Sequence, residues 1–134
     1  MLRRSALLAM LALLAVFTIA ACDSGEASGA PGAYTVSAAD AVPMIESGER
    51  TVIDVRRPDE FELAHVVGAL NINLEGADFA DRIAELDPEK PYLVYCRSGN
   101  RSAVAAEQMA EAGIKDIADA GGLVELAQAG APVE

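Results

Sequence analysis

The chain has 134 residues, of which 21 are acidic and 10 are basic, and its formal net charge at pH 7 is −11. Such an acidic balance argues against nucleic acid as a partner. One histidine and two cysteines cannot supply the four ligands of a structural zinc site, and we expect neither a metal nor a cofactor.

The first segment has the pattern of an export signal. Arg3 and Arg4 precede an apolar run at residues 6–15, and small residues lead up to Cys22. The ending Ile19-Ala20-Ala21-Cys22 resembles that of bacterial lipoprotein signals, which implies that residues 1–21 are removed and that Cys22 carries the lipid. The alternatives are a plain secretory signal and an uncleaved membrane span, although residues 6–21 fall short of the roughly 20 residues that a spanning helix needs.

A tether follows the signal, because residues 22–33 are mostly small or polar and cannot bury enough apolar surface to order themselves. Loss of Arg3 and Arg4 leaves 8 basic against 21 acidic residues, a formal charge of −13. Anionic lipid head groups repel such a chain, so the acyl chains must hold it at the membrane. We expect a monomeric domain on the periplasmic or extracellular side of the cell membrane.

Residues 34–134 are predicted to form one α/β domain. Short apolar runs at residues 51–55 and 92–95 indicate buried strands, and helical patterns at 79–86 and 103–112 alternate with them. This alternation predicts a central parallel sheet flanked by helices, with binding sites at the carboxyl ends of the strands. Ser37 has the pattern of a helix start, and Pro43 is expected to break or shift that helix.

The most informative segment follows the strand at 92–95 and reads Cys96-Arg97-Ser98-Gly99-Asn100-Arg101-Ser102. The unpaired N–H groups and the positive dipole end of the helix that follows favour a thiolate, the form of cysteine that attacks. Cys96 is therefore the predicted nucleophile, and the alternative is a buried structural cysteine. With Cys22 lipidated, Cys96 has no partner for a disulfide.

The spacing within this loop narrows the chemistry. Four residues separate Cys96 from Arg101, one fewer than in the C-x5-R loop of cysteine phosphatases. The tighter loop leaves room for one extra sulfur atom, stabilised by backbone N–H groups, rather than for a tetrahedral phosphate. The spacing thus favours a persulfide on Cys96, held by residues 97–102, over phosphatase or arsenate chemistry.

Three motifs in order resemble those of the rhodanese (sulfurtransferase) family: the loop at 96–101, Asp54-Val55-Arg56-Arg57-Pro58-Asp59-Glu60-Phe61, and Ala64-His65-Val66-Val67-Gly68-Ala69-Leu70-Asn71-Ile72. The resemblance covers residues 34–134. It implies that Asp54, Arg56 and Glu60 support the site, with Arg56 and Glu60 in a motif that forms an internal ion pair. His65 is expected to be satisfied within the fold and is left out of catalysis.

Two positions depart from the family pattern. Ala64 stands where the family usually has glycine before the histidine, which puts a turn conformation in question. Leu126 stands where a tryptophan often follows the paired glycines, here Gly121 and Gly122. The second change is expected to remove aromatic cover near the end of the domain, so that substrate fit differs from that of familiar members.

The resemblance implies an enzyme that transfers sulfur in two steps. Cys96 takes the outer sulfur of a small anionic donor such as thiosulfate, sulfite leaves, and the persulfide passes its sulfur to a thiol or to cyanide. If the fold gathers Arg56, Arg57, Arg97 and Arg101 near Cys96, they attract the donor despite the acidic surface. The alternative function is a sulfur carrier or a module that binds a thiol or a protein at the membrane without turnover.

Overall fold

The computed structural model describes residues 30–134; the signal segment, Cys22 and the tether up to residue 29 lie outside the described residues. The strands are β1 Ala33–Thr35, β2 Thr51–Asp54, β3 Leu70–Asn71, β4 Pro91–Cys96 and β5 Asp116–Gly122. The helices are α1 Ala38–Glu46, α2 Pro58–Leu63, α3 Phe79–Ala84, α4 Asn100–Glu111 and α5 Leu123–Gln128. Across residues 30–134, no helix has both the length and the apolar character that crossing a bilayer requires.

The five strands form one sheet in the order β1-β5-β4-β2-β3, and every neighbouring pair is parallel. This confirms the predicted α/β architecture. The strands predicted at 51–55 and 92–95 correspond to β2 and β4, and the helices predicted at 79–86 and 103–112 correspond to α3 and α4. Their ends differ by up to three residues, because helix ends depend on contacts that the local pattern does not contain.

The core lies on both faces of the sheet, since side chains along a strand alternate between its faces. Ile53 and Val94 pack on the face that α3 and α4 cover. Val52, Leu93 and Tyr95 pack on the opposite face, against α1 and α5. Helices on both faces bury the central strands completely, which explains why those strands read as continuous apolar runs.

The expected break at Pro43 does not occur, because α1 continues through this residue to Glu46. The helix begins with Ser37 as its N-cap, whose Oγ accepts a hydrogen bond from the Asp40 N–H at 3.1 Å. Proline removes one backbone donor from the helix. The burial of Ala41 and Ile45 against the sheet stabilises α1 despite this loss, because tertiary packing outweighs local propensity.

The two departures from the family pattern lie in different places: Ala64 follows the end of α2, and Leu126 lies in the core. Ala64 ends α2 with φ −169° and ψ 141°, which is extended backbone that any residue adopts. The turn that was in question there does not need glycine. Leu126 lies in α5 and is fully buried in the core beside the sheet. Its side chain therefore contributes to packing of the fold.

Candidate active site

A crevice forms where the chain leaves two adjacent strands in opposite directions. From β2 the chain continues to β3 on one side of the sheet, and from β4 it continues to β5 on the other. In open α/β sheets, ligands bind outside the carboxyl ends of the strands at such a switch point. Asp54 is the last residue of β2 and Cys96 is the last residue of β4, so the structure places both at this edge.

The loop between β4 and α4 directs polar groups at the Cys96 sulfur. The N–H of Gly99 donates to Cys96 Sγ at 3.0 Å, and Ser102 Oγ lies 3.6 Å from the same atom. Gly99 has φ +96°, a left-handed conformation that favours glycine. Cys96 is only 1% exposed, yet an N–H that points at the sulfur stabilises negative charge there.

Two glycines at the end of β5 let the loop approach the sheet closely. A Cβ atom on Gly122 would lie 2.5 Å from the Arg97 carbonyl oxygen, and one on Gly99 would lie 3.6 Å from Gly121 Cα. Ser102 is fully buried between these segments, and its hydroxyl donates to the Gly99 carbonyl oxygen at 3.0 Å. Sequence reasoning noted the paired glycines but did not predict that they shape the cysteine loop.

An ion pair joins α2 to the cysteine loop across the crevice. Glu60 accepts hydrogen bonds from Arg101 Nη1 at 2.7 Å and from Nη2 at 2.9 Å. Its carboxylate also accepts the Arg57 N–H at 3.3 Å, at the start of α2. The Arg101 hydrogen bonds lower the pKa of Glu60 from 4.5 to about 2. The charge of Arg101 is thus largely compensated, and this residue contributes less free positive charge than the sequence suggested.

A second ion pair lies beneath the crevice. Arg56 Nη2 contacts Asp54 Oδ2 at 2.6 Å, and the same nitrogen donates to the Ala64 carbonyl oxygen at 2.6 Å. The side chains of both residues are buried. The Arg56 backbone N–H also donates to Asp54 Oδ1 at 2.9 Å, so this pair forms within the bend that follows β2. Arg56 and Glu60 therefore do not pair with each other; each supports the site through another partner.

The crevice opens into a pocket of about 320 Å³. Its lining is Arg57, Glu60, Glu75, Arg97 and Arg101. Three of the four arginines that were expected near Cys96 line this pocket, whereas Arg56 is buried against Asp54, and Cys96 itself is not part of the lining. Arg57 also pairs with Asp59 at 2.9 Å, while Arg97 has no ion pair among residues 30–134. Arg97 is therefore the pocket cation that is freest to attract an anion.

The remaining predicted loop residues lie at the surface. Ser98 and Asn100 are exposed, and Asn100 is the first residue of α4.

His65 does not line the pocket: its Nδ1 lies 2.9 Å from the Phe61 carbonyl oxygen, and its Nε2 lies 3.4 Å from a Glu134 carboxylate oxygen. The part of the chain that the structure describes contains no cluster of side chains suited to hold a metal ion.

Glu75 is the pocket residue that sequence reasoning missed. It lies between β3 and α3, and its Oε2 is 3.5 Å from Arg101 Nη1. No motif singles out this glutamate, because it lies between the segments at 64–72 and 96–101 that resemble the family. The turn between β3 and α3 brings Glu75 to the pocket, and the local sequence does not predict this.

This arrangement suits a small anion. Three arginines and two glutamates line the pocket, so its formal charge is +1. The strongly acidic remainder of the chain surrounds it. A cysteine at the start of the adjoining loop and a positively charged pocket together favour binding of an anion over binding of a neutral molecule.

The similarity of this chain to known proteins spans most of the domain. Residues 37–129 match the family model for the rhodanese-like domain. A thiosulfate sulfurtransferase of Escherichia coli is 40% identical over 77 residues, which are 56% of this chain and 72% of that protein. An HTH-type transcriptional regulator of Mycobacterium tuberculosis is 34% identical over 103 residues, 74% of this chain. The chain spans only 44% of that regulator.

Solved structures of rhodanese-like proteins have a similar fold. The crystal structure of a rhodanese-related protein from Thermoplasma volcanium superposes with a TM-score of 0.65 and 31% identity, covering 75% of this chain and 96% of that one. The family match, the order of the three motifs and the parallel sheet agree with one another. The chain therefore belongs to the rhodanese-like domain family, to which sulfurtransferases belong.

Proposed function

We propose that this protein is a sulfurtransferase of the cell envelope whose Cys96 carries a persulfide from a small anionic donor to a thiol or cyanide acceptor. The observation that carries the proposal is the geometry at the sulfur. Cys96 Sγ receives the Gly99 N–H at 3.0 Å, within a four-residue loop beside a positive pocket. The thiosulfate sulfurtransferase from Escherichia coli supports the choice of donor, as a property of that relative.

In the first step the Cys96 thiolate attacks the outer sulfur of thiosulfate. The bond between the two donor sulfurs breaks, and sulfite leaves with the electron pair. The negative charge then rests on the outer sulfur of the new persulfide. Arg97 attracts the donor, and the Gly99 N–H stabilises charge next to the new bond.

In the second step the acceptor attacks the outer sulfur of the persulfide. An acceptor thiolate becomes a persulfide, or cyanide becomes thiocyanate, and the Cys96 thiolate is the leaving group. The cycle needs no external oxidant or reductant, because a sulfur atom moves between two nucleophiles. Ser102 holds the loop closed through the Gly99 carbonyl oxygen, so that the same sulfur geometry serves both steps.

A carrier without turnover is the second candidate function. The near-complete burial of Cys96 favours it, because 1% exposure would protect a stored persulfide from adventitious thiols. A carrier and an enzyme share the first step and differ in the second. Release of sulfur to small acceptors therefore separates the two.

The test uses the full chain, reduced and folded, with thiosulfate followed by cyanide. Mass spectrometry of the peptide that contains Cys96 should show a gain of one sulfur atom, which cyanide removes as thiocyanate. Cys96→Ser should lose both signals, and Cys22→Ser should keep both. A reduced, folded protein that gains no sulfur would refute the proposal, and sulfur that loads but is never released to acceptors would establish the carrier.

The envelope location rests on the N-terminal pattern. Arg3 and Arg4, an apolar run and Ile19-Ala20-Ala21-Cys22 are the parts of a lipoprotein signal. Acyl chains on Cys22 would hold an otherwise acidic protein at the membrane. In a bacterial host, labelling with a palmitate analogue should mark the wild-type chain in the membrane fraction. Cys22→Ser should abolish the label, and labelling of that variant would contradict the assignment.

A further inference from the structure

Arg101 lies between two carboxylates that have different surroundings. Glu60 uses both of its oxygens on the two Nη atoms of Arg101, and its side chain is only 17% exposed. Glu75 approaches Nη1 at 3.5 Å, and its side chain is 57% exposed. Glu75 forms no other ion pair within residues 30–134. Because Arg101 is already paired with Glu60, it compensates the negative charge of the Glu75 carboxylate only weakly.

An ordered turn holds Glu75 in this position. The N–H of Leu74 donates to the Val55 carbonyl oxygen at 3.1 Å, and the Leu74 side chain packs against the core. The N–H of Glu75 donates to Asn73 Oδ1 at 3.1 Å, and the N–H of Gly76 donates to the Asn73 carbonyl oxygen at 3.0 Å. These contacts fix the backbone of the turn, so the carboxylate is presented to the pocket by the fold.

The charge of the pocket depends strongly on this residue. The lining carries a formal charge of +1, and replacement of Glu75 by glutamine would make it +2. A pocket that attracts anions thus contains an anion of its own next to Arg101. A donor that approaches Arg101 is repelled by Glu75 in proportion to the charge of the donor.

We propose that Glu75 is a specificity-determining residue that disfavours dianionic sulfur donors relative to monoanionic donors of the same chemistry. This inference rests on the proposed function and deepens it, because it assigns Glu75 a part in the choice between dianionic thiosulfate and monoanionic donors such as alkyl thiosulfonates. With such a donor the Cys96 thiolate attacks the outer sulfur, the sulfur–sulfur bond breaks, and a sulfinate leaves with the electron pair. Thiosulfate reacts at the same bond but brings one more negative charge.

The size of the effect follows from the Coulomb energy. For charges about 6 Å apart in water, removal of one negative charge strengthens binding of a monoanion about threefold and of a dianion about tenfold. Glu75→Gln should therefore lower the KM for thiosulfate about three times more than the KM for methanethiosulfonate. The readout is the ratio of the two KM values, because a change in kcat that is common to both donors leaves this ratio unaffected.

The control variant is Glu62→Gln, which removes the same negative charge. Glu62 is exposed on α2 and does not line the pocket. We would measure KM and kcat for thiosulfate and methanethiosulfonate with the full chain, Glu75→Gln and Glu62→Gln. The expected result is a shift in the KM ratio for Glu75→Gln alone. Equal KM changes for the two donors, or the same shift in Glu62→Gln, would overturn the proposal.

A second measurement keeps the inference separate from the proposed function. Alkylation of Cys96 by iodoacetate, an anion, and by neutral iodoacetamide is compared on the Cys96 peptide. Glu75→Gln should raise the rate ratio of iodoacetate to iodoacetamide about threefold. If the wild type transfers no sulfur but this ratio shifts, the proposed function fails and the role of Glu75 in charge selection stands. If sulfur is transferred and neither ratio moves, only the Glu75 inference fails.

Discussion

Replacement of Glu60 by glutamine tests how the ion pair across the crevice stabilises the domain. The pKa of Glu60 falls from 4.5 to about 2 because Arg101 donates two hydrogen bonds to it. At about 1.4 kcal/mol per pKa unit this change corresponds to at most about 3–4 kcal/mol. The pocket is open to solvent, which screens the pair, so we expect Glu60→Gln to lower the free energy of unfolding by about 1–2 kcal/mol at pH 7.

The free energy of unfolding that Glu60→Gln loses should depend on pH, and the direction follows from the lowered pKa of Glu60. The pKa of Glu60 in the folded state lies below its usual 4.5, so the carboxylate stabilises the fold fully above about pH 4.5. This contribution fades as the pH falls from 4.5 toward 2, where the carboxylate takes up a proton in both states. The wild type and Glu60→Gln should therefore converge in stability at low pH.

Urea unfolding at low ionic strength, at pH 7, 4.5 and 3, measures this difference. Glu62→Gln is the matched control, because it lies on the same helix without an ion pair among the described residues. A difference between wild type and Glu60→Gln that stays constant from pH 7 to pH 3 would refute the reasoning. Equal losses in Glu60→Gln and Glu62→Gln at pH 7 would do the same.

Two further substitutions, Asp54→Asn and Gly122→Ala, test the buried ion pair and the close contact between β5 and the cysteine loop. Asp54→Asn leaves its buried guanidinium partner uncompensated and should cost about 3–5 kcal/mol of unfolding free energy in urea, whereas Asp59→Asn, in an exposed pair, should change it little. Equal losses would contradict the burial argument. Gly122→Ala drives a Cβ toward the Arg97 carbonyl oxygen and should abolish sulfur loading of the loop, whereas Gly113→Ala, with open space at its Cβ, should cost stability but keep loading. Loading retained in Gly122→Ala would show that the loop tolerates displacement.

Local patterns were sufficient to predict the architecture and the position of Cys96 at the end of a strand. The runs at 51–55 and 92–95 are apolar because both faces of their strands are covered. The same apolar runs placed Asp54 and Cys96 at the carboxyl ends of two strands, where the structure has them. Pro43 was the local signal that misled, because packing of α1 on the sheet outweighed the lost hydrogen bond.

The sequence by itself determined the parallel α/β sheet and a cysteine at the start of a short loop. Apolar runs, glycines and motif spacing are patterns of neighbouring residues, so they can be recognised before the fold is known. Only the tertiary structure decided which charges from distant segments meet. Glu60 and Arg101 are 41 residues apart, whereas the pair of Arg56 and Asp54 is local, because these residues are two apart in the chain. The place of Glu75 in the pocket likewise depends on the path of the turn after β3. Ion pairing acts through space over a few ångströms, so partners become fixed only when distant segments fold together.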